Sequence, residues 1–375
     1  MPGERMGETT HLPVIKGVTM AFWSRRAARL PRALLLSCSA WLLVQPVPLA
    51  AHFLFLPTIQ AADETHPFGD ADRHQWDAIG DFFYSDDWER LRFLGELQVS
   101  RNEQDMERLQ VGWRIDPEAS LWFGRFHNPI SLWNTEHHHG RYLETSVGRP
   151  RIVEFEDQGG PLPVHLTGLL LESSHAMGEG AIQLDAAVAS GPRFDGALGP
   201  IDVIRSPRFN KLALTARVAF RPDATRDTRY GFMLASTTMP AKGLAFEEIQ
   251  QNTAGFSFIH EMDRLRVLGE AFRINHRVTR GNGATWPSYW AGYGQVEYKL
   301  SPNVWTSYVR LEGASSHLTA DYRDAFPDLS KDRELVGVRW DFYRNQALKL
   351  QLAREAPLAG PVSRGVQIQW SALFP

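Results

Sequence analysis

The sequence predicts an all-β fold, a transmembrane antiparallel β-barrel of about 14 strands (roughly 12–16). Three observations predict it. Apolar and polar residues alternate with period two through most of the chain. The connections between these segments alternate between short turns and long polar loops, as the two rims of a membrane barrel require. The last segment is an amphipathic strand ending on aromatic and apolar residues.

The elements follow in chain order. Arg25, Arg26, Arg29 and Arg32 precede an apolar run over 33–57, and small residues follow at Ala61 and Ala62. Basic, apolar and small in that order is the pattern of a secretory signal peptide, so residues 1–62 are expected to be a signal region, with Met20 as an alternative start. Gln45, Pro46, Pro48 and His52 interrupt the run, which weighs against a spanning helix. The single cysteine, Cys38, falls inside this region and excludes a disulfide framework. Residues 63–88 are acidic and rich in turn formers, and are expected to be a lead-in on the short-turn side, too short for a core of their own. The barrel is then expected over 89–375.

Within the barrel, Leu109, Val111, Trp113 and Ile115 share one face of "RLQVGWRI", and Arg108, Gln110, Gly112 and Arg114 share the other. Leu212, Leu214, Ala216, Val218 and Phe220 likewise oppose Lys211, Thr215 and Arg217, and Leu348, Leu350 and Leu352 oppose Lys349 and Gln351. Short turns are expected at 116–119, 175–180, 221–226, 261–263, 300–303 and 343–346, and longer segments near 127–162, 191–207, 237–251, 276–288, 312–333 and 354–364. The first connection, 101–105, is short where a long one is due. An even strand number puts both chain ends at the short-turn rim. A soluble sandwich shows no such asymmetry between its loops.

In "GVQIQWSALFP", Val366, Ile368, Trp370, Ala372 and Phe374 share a face opposite Gln367, Gln369 and Ser371. This strand resembles the assembly signal of bacterial outer-membrane barrels, departing from it in the extra residue Pro375. "GRFHNPISLWNTEHHHGRYLETSVGRPRIVEFEDQGGPLPVHLTG" resembles the early strand-and-loop region of porin-like outer-membrane proteins of Gram-negative bacteria. The resemblance implies short periplasmic turns, long extracellular loops and a long loop folded inward as a constriction. It also implies passage of small hydrophilic solutes, contact with outer-membrane lipid and with the barrel assembly machinery through the last strand. Homo-oligomerisation is left open.

If the apolar faces meet lipid, the polar faces line the lumen. The expected pore-lining cations are Arg92, Arg108, Arg114, Lys211, Arg217, Arg229, Lys299, Arg310, Arg339 and Lys349, against a smaller acidic set, Glu96, Asp185, Glu297 and Asp341. A positive lumen favours anions; the competing reading is that the arginines pair with the acids and stiffen the wall. The net charge of −3 offers no basic field for nucleic acid.

The expected constriction loop, 127–162, carries His127, Trp133, Asn134, His137, His138, His139, Arg141, Arg149, Glu154, Glu156 and Asp157. Trp133, Asn134 and the histidines are expected to anchor it to the wall, with Arg141 and Arg149 pairing to Glu144, Glu154, Glu156 or Asp157. Imidazoles beside carboxylates suit zinc, but "EHHHG" lacks the i, i+4 histidine spacing of a helical site, and neither a metal nor a cofactor is assigned. Ser131, Asn134 and His137 to His139 supply the residue types of a lipid hydrolase without a nucleophile elbow. A non-enzymatic pore is the reading carried forward. The alternatives are a barrel enzyme acting on lipid and a barrel partner of an envelope assembly or export system.

Overall fold

The structure, a computed structural model, describes residues 52–65, 73–101, 104–137, 141–154, 160–194, 198–199, 211–241, 246–279, 287–301, 304–315, 318–326, 329–358 and 360–375. Sixteen antiparallel strands close into a barrel. They are β1 (His52–Thr65), β2 (Arg73–Trp88), β3 (Leu91–Ser100), β4 (Gln104–Asp116), β5 (Ala119–His127), β6 (His165–Met177), β7 (Gly180–Ser190), β10 (Leu212–Arg221) and β11 (Arg229–Pro240). The wall continues through β12 (Glu248–Glu261), β13 (Leu265–Thr279), β14 (Ser288–Ser301), β15 (Trp305–Ala314), β16 (Ser330–Tyr343), β17 (Gln346–Pro357) and β18 (Ser363–Ala372). Two short strands, β8 (Arg193–Phe194) and β9 (Leu198–Gly199), pair in the segment between β7 and β10. Each barrel strand pairs with its sequence neighbours, and β1 closes the ring on β18 in the register Thr58↔Ser371 to Thr65↔Arg364.

Two expectations about the chain's beginning are corrected here. The strand number is sixteen, the upper bound of the expected 12–16, because β1 and β2 come from stretches read as the end of a signal and an acidic lead-in. In β1 both faces are apolar near the start, with Phe53 outward and Leu54 and Leu56 inward, so the alternation is hidden. In β2 most of the acids fall on the inward parity: Asp81 is buried beside Phe83, while Trp76 and Tyr84 point outward, with Asp86 beside the tyrosine hydroxyl. The part of the expected signal up to residue 51 lies outside the described residues.

Outward faces carry the apolar residues the alternation assigns to lipid. Val111, Trp113, Phe123, Phe232, Leu311 and Ile368 are all exposed by more than a third. Burying that band in hydrocarbon is the condition under which a barrel with exposed apolar faces is soluble in its surroundings at all. Aromatic side chains mark both edges of the band. Toward the short turns Trp305 stacks on Trp340, with ring centroids 5.1 Å apart and 2° between planes. Toward the long loops the guanidinium of Arg101 lies over Trp76 and that of Arg273 over Trp290, at 4.8 and 5.9 Å from the ring centroids. Such pairs keep charge at the interface while the ring faces lipid.

Inward aromatic rings are accommodated by glycine on the adjacent strand. Gly112 pairs with Trp122 and Gly337 with Tyr308. A Cβ on Gly337 would lie 2.4 Å from the Tyr308 ring, and one on Gly112 would lie 2.5 Å from the indole of Trp122. The missing side chain lets each ring lie flat against the wall, a recurrent cross-strand arrangement. It also fixes where the Tyr308 hydroxyl points, which matters for the loop below.

Candidate functional site

The segment between β5 and β6 enters the barrel and crosses to the far wall. It begins with a short helix, α1 (Leu132–Glu136), capped by Ser131, whose Oγ accepts the backbone N–H of Asn134. A serine at an N-cap satisfies one of the helix's unbonded amides, and this is what the buried Ser131 hydroxyl does. Asn134 holds the segment to itself by donating to the carbonyl of Asn128 at 3.3 Å. His137 is the C-cap residue, its ring 5.0 Å from that of Trp133.

The helix is docked against β11, β13 and β14. Leu132 donates its backbone N–H to Glu270 Oε1 at 2.6 Å, and Glu136 receives Arg229 Nη1 at 2.6 Å. Trp133 packs edge-on against Tyr293, centroids 6.0 Å apart, inside a buried apolar cluster. Ile130, Leu132, Ile152, Val153, Leu162 and Val164 from the loop join it, packing on Met233, Ile249, Phe272 and Ile274 from the wall. A second helix, α2 (Ala320–Ala325), in the connection between β15 and β16, adds Tyr322 to the same cluster.

The rest of the loop is gripped by charge. Arg339 Nη1 donates to the carbonyls of Tyr142 and Glu144 at 2.6 and 2.7 Å, while its other edge holds Asp341. Lys349 donates to the carbonyls of Arg141 and Ser146. Arg310 reaches Ser146 Oγ, Gly148 O and Arg149 O at 3.0, 3.2 and 3.1 Å, and pairs with Glu312 at 2.8 Å. Arg333 also donates to Arg149 O. The Val147 N–H is taken by Gln351 Oε1 and the Tyr308 hydroxyl, at 3.1 and 3.3 Å. Arg151 is clamped between Glu154 and Glu355, at 2.7 and 2.8 Å. The paired carboxylates hold the Arg151 guanidinium above its ordinary range against the cost of burial. In the same loop, burial pushes the Glu144 carboxyl up, with Lys349 and Arg149 partly opposing it.

The expected cations therefore have individual placements. Arg92 pairs with Asp87 at 3.0 Å and lies over Trp122. Arg108 pairs with Glu96 at 2.7 Å, Arg114 with Asp87 at 2.8 Å, and Arg217 with Asp185 at 2.9 Å. Arg229 bridges Glu136 and Asp227. Lys211 precedes β10 at the long-loop rim, is exposed, and approaches Glu248 at 3.6 Å. Lys299 borders a small cavity of about 90 Å³ under the loop.

A lumen with few acids is also corrected. Asp81, Glu270 and Glu312 are buried, and Asp87, Glu172 and Glu355 make short contacts with Arg92, Trp122 and Arg151. Pairing inside a low-dielectric interior explains Asp87, Glu312 and Glu355, since an uncompensated buried charge costs several kcal/mol, roughly 3–5 when a partner is removed; Asp81, Glu172 and Glu270 instead accept from the neutral donors Gln98, Trp122 and Tyr293.

Among the loop residues, Arg141 donates to Gln60 of β1 at 2.6 Å, and Glu154 is taken by Arg151 rather than by the expected arginines. His138, His139, Glu156 and Asp157 lie outside the described residues. Sequence reasoning placed Gln351 on a polar face but did not single out Gln60, Glu270, Tyr293, Tyr308, Glu312, Arg333 and Glu355. Each sits on the inward face of an amphipathic strand, and that alternation was the available signal. His127 and His165, at the loop's two roots, face one another in register.

No family model matches the sequence, and no curated protein matches it. Solved structures do. The outer membrane channel DcaP of Acinetobacter baumannii is 11% identical with a TM-score of 0.59, covering 86% of this chain and 97% of that one. An anion-selective porin from Comamonas acidovorans is 11% identical with a TM-score of 0.59, covering 87% and 100%. OmpF of Salmonella typhi, in complex with daunomycin, is 10% identical with a TM-score of 0.55, covering 86% and 97%. The fold is that of bacterial outer-membrane porins: a closed antiparallel barrel with an outward apolar band.

Proposed function

We propose that the protein is an outer-membrane pore through which small hydrophilic solutes diffuse, with the segment 128–164 as its constriction. One observation carries this reading. The longest connection of the barrel does not cap it from outside; it crosses the interior and is held by Arg310, Arg339 and Lys349 on the far wall. A barrel of this size is wider than its wall side chains fill, so an inward loop is what sets its passage. Outer-membrane lipid, the assembly machinery acting through β18, and further copies of the chain are the partners this reading implies. Planar-bilayer reconstitution tests it: discrete conductance steps are expected, and their absence overturns it.

A modest anion preference belongs to the same proposal, but its source shifts. Most interior arginines are paired, so they contribute little net field. The cavity beneath the loop adds Arg264 and Lys299 to its lining beside the ion-paired Arg266 and Arg339, against Glu261 and Glu297, with Thr145 of the loop above it. An excess of cations in a confined mouth raises local anion concentration. Lys299→Glu is expected to move the reversal potential in a salt gradient toward cations. An unchanged reversal potential removes the cavity from the selectivity argument.

A further inference from the structure

The two strands that launch and recover the inward loop bring together a cluster that the pore reading does not use. His127 ends β5 and His165 begins β6, paired directly across the ladder. Their ring centroids are 5.0 Å apart, and both side chains are buried. Glu107 Oε2 lies 2.8 Å from His165 Nε2, and Glu96 Oε2 lies 4.0 Å from His127 Nε2. One ligating atom from each of Glu107, His127 and His165 falls within 4.8 Å of the others.

Glu107 is there because of a local irregularity. The register between β3 and β4 slips between Glu96 and Leu97, so Glu96 faces Arg108 while Leu97 faces Met106. Glu107 is the extra residue of this bulge. As a result both Glu107 and its neighbour Arg108 are buried, where strict alternation would send one of them to lipid. Bulges cost ladder hydrogen bonds and are used to re-aim side chains; here the re-aimed group is a carboxylate brought onto an imidazole.

We infer that His127, His165 and Glu107 form a binding site for a borderline divalent cation such as Zn²⁺ at the root of the loop, with Glu96 as the adjacent carboxylate. Two imidazoles and a carboxylate are the donor set that zinc takes, at about 2.0–2.2 Å from each ligand atom. A cation between the rings lets both imidazoles stay neutral and direct a lone pair at one positive charge. Two protonated rings at this separation would repel in a low-dielectric interior. Glu96 is held by Arg108 at 2.7 Å, which orients it beside His127, as outer-shell partners orient the groups around a metal. The metal joins the last residue before the loop to the first residue after it. Its role is to clamp the loop's two ends.

The test is zinc binding by the intact barrel in detergent, stripped with chelator and dialysed against zinc chloride. One zinc per chain is expected for the wild type. His127→Ala, His165→Ala and Glu107→Gln are each expected to weaken binding by about tenfold or more, at least the loss that outer-shell changes cause. His175→Ala, an exposed histidine at the opposite rim paired with Glu118, is expected to leave binding unchanged. No zinc bound by the wild type, or equal binding by the His127→Ala/His165→Ala double variant, overturns the inference. If an alanine variant does not assemble, the wild type decides alone. Cobalt added at one equivalent is expected to give the intense visible bands of a low-coordinate nitrogen and oxygen site, and a spectrum like that of aqueous cobalt overturns it. Zinc is also expected to raise the midpoint of thermal unfolding. None of these readouts depends on conductance, so the site and the pore stand or fall separately.

Discussion

Two sectors of the wall hold the same loop by opposite means. The sector from β11 to β14 offers Met233, Ile249, Phe272, Ile274, Tyr289 and Tyr293, and the loop answers with Ile130, Leu132, Trp133 and Val153. The sector from β15 to β17 offers Arg310, Arg333, Arg339 and Lys349, and the loop answers mostly with backbone carbonyls. The apolar grip is non-directional and scales with buried area. The cationic grip is directional, and it fixes the path of a loop backbone whose carbonyls would otherwise be buried without donors. The difference suggests a division of labour: the first sector supplies attachment, and the second supplies shape.

Removing attachment should have the largest effect. Trp133→Ala empties a fully buried indole site and is expected to cost about 3–5 kcal/mol, as large-to-small changes of buried aromatics do. Urea unfolding of the detergent-solubilised barrel measures the loss, and single-channel recording should show a larger, noisier conductance. A variant as stable as the wild type, with unchanged conductance, would mean that Trp133 does not hold the loop. Removing shape should cost less. Arg339→Gln loses charge-assisted bonds to Tyr142 O and Glu144 O while leaving the apolar dock intact, so a cost of about 1.5–3 kcal/mol is expected. Its signature is a changed conductance with the loop still protected from added protease. Loop cleavage as extensive as in Trp133→Ala would erase the distinction between the sectors.

Much of this is legible in the sequence. Alternation assigned the lipid face of β4, β10 and β17 residue by residue, loop parity separated the two rims, and the length of 127–162 marked the loop that turns inward. What stayed hidden has identifiable physical causes. β1 carries apolar residues on both faces near its start, and β2 carries most of its acids inward, so neither reads as a half-polar strand. The rule that polar faces line the lumen failed for β13, whose inward Leu268, Phe272 and Ile274 pack on the loop. An apolar inner face is correct there because protein, not water, lies against it. The partners of the loop's carbonyls are wall residues far away in sequence, and no local pattern announces them. Glu107 had a signal: two adjacent charged residues, Glu107 and Arg108, break the alternation in "QDMERLQVGW" at the site of the bulge.

The smallest effect separates the two grips by pH. Glu144 lies within the cationic grip, its own carbonyl bonded to Arg339, and burial pushes its carboxyl above the ordinary carboxylate range. The docked loop therefore holds a proton at Glu144 that the undocked chain releases. Between the ordinary and the raised value the folded state binds more protons, so this group's contribution to stability falls as pH rises. Glu144→Gln removes that slope. The variant is expected to match the wild type in urea unfolding at low pH and to exceed it slightly above the carboxylate range. Trp133→Ala removes no titratable group of its own, so it is expected to leave the Glu144 slope in place. A slope of the opposite sign, with the wild type gaining on Glu144→Gln as pH rises through the carboxylate range, would show that Glu144 is ionised against Lys349 and Arg149 in the docked loop, and that the second sector holds its loop through a side-chain charge as well as through the backbone.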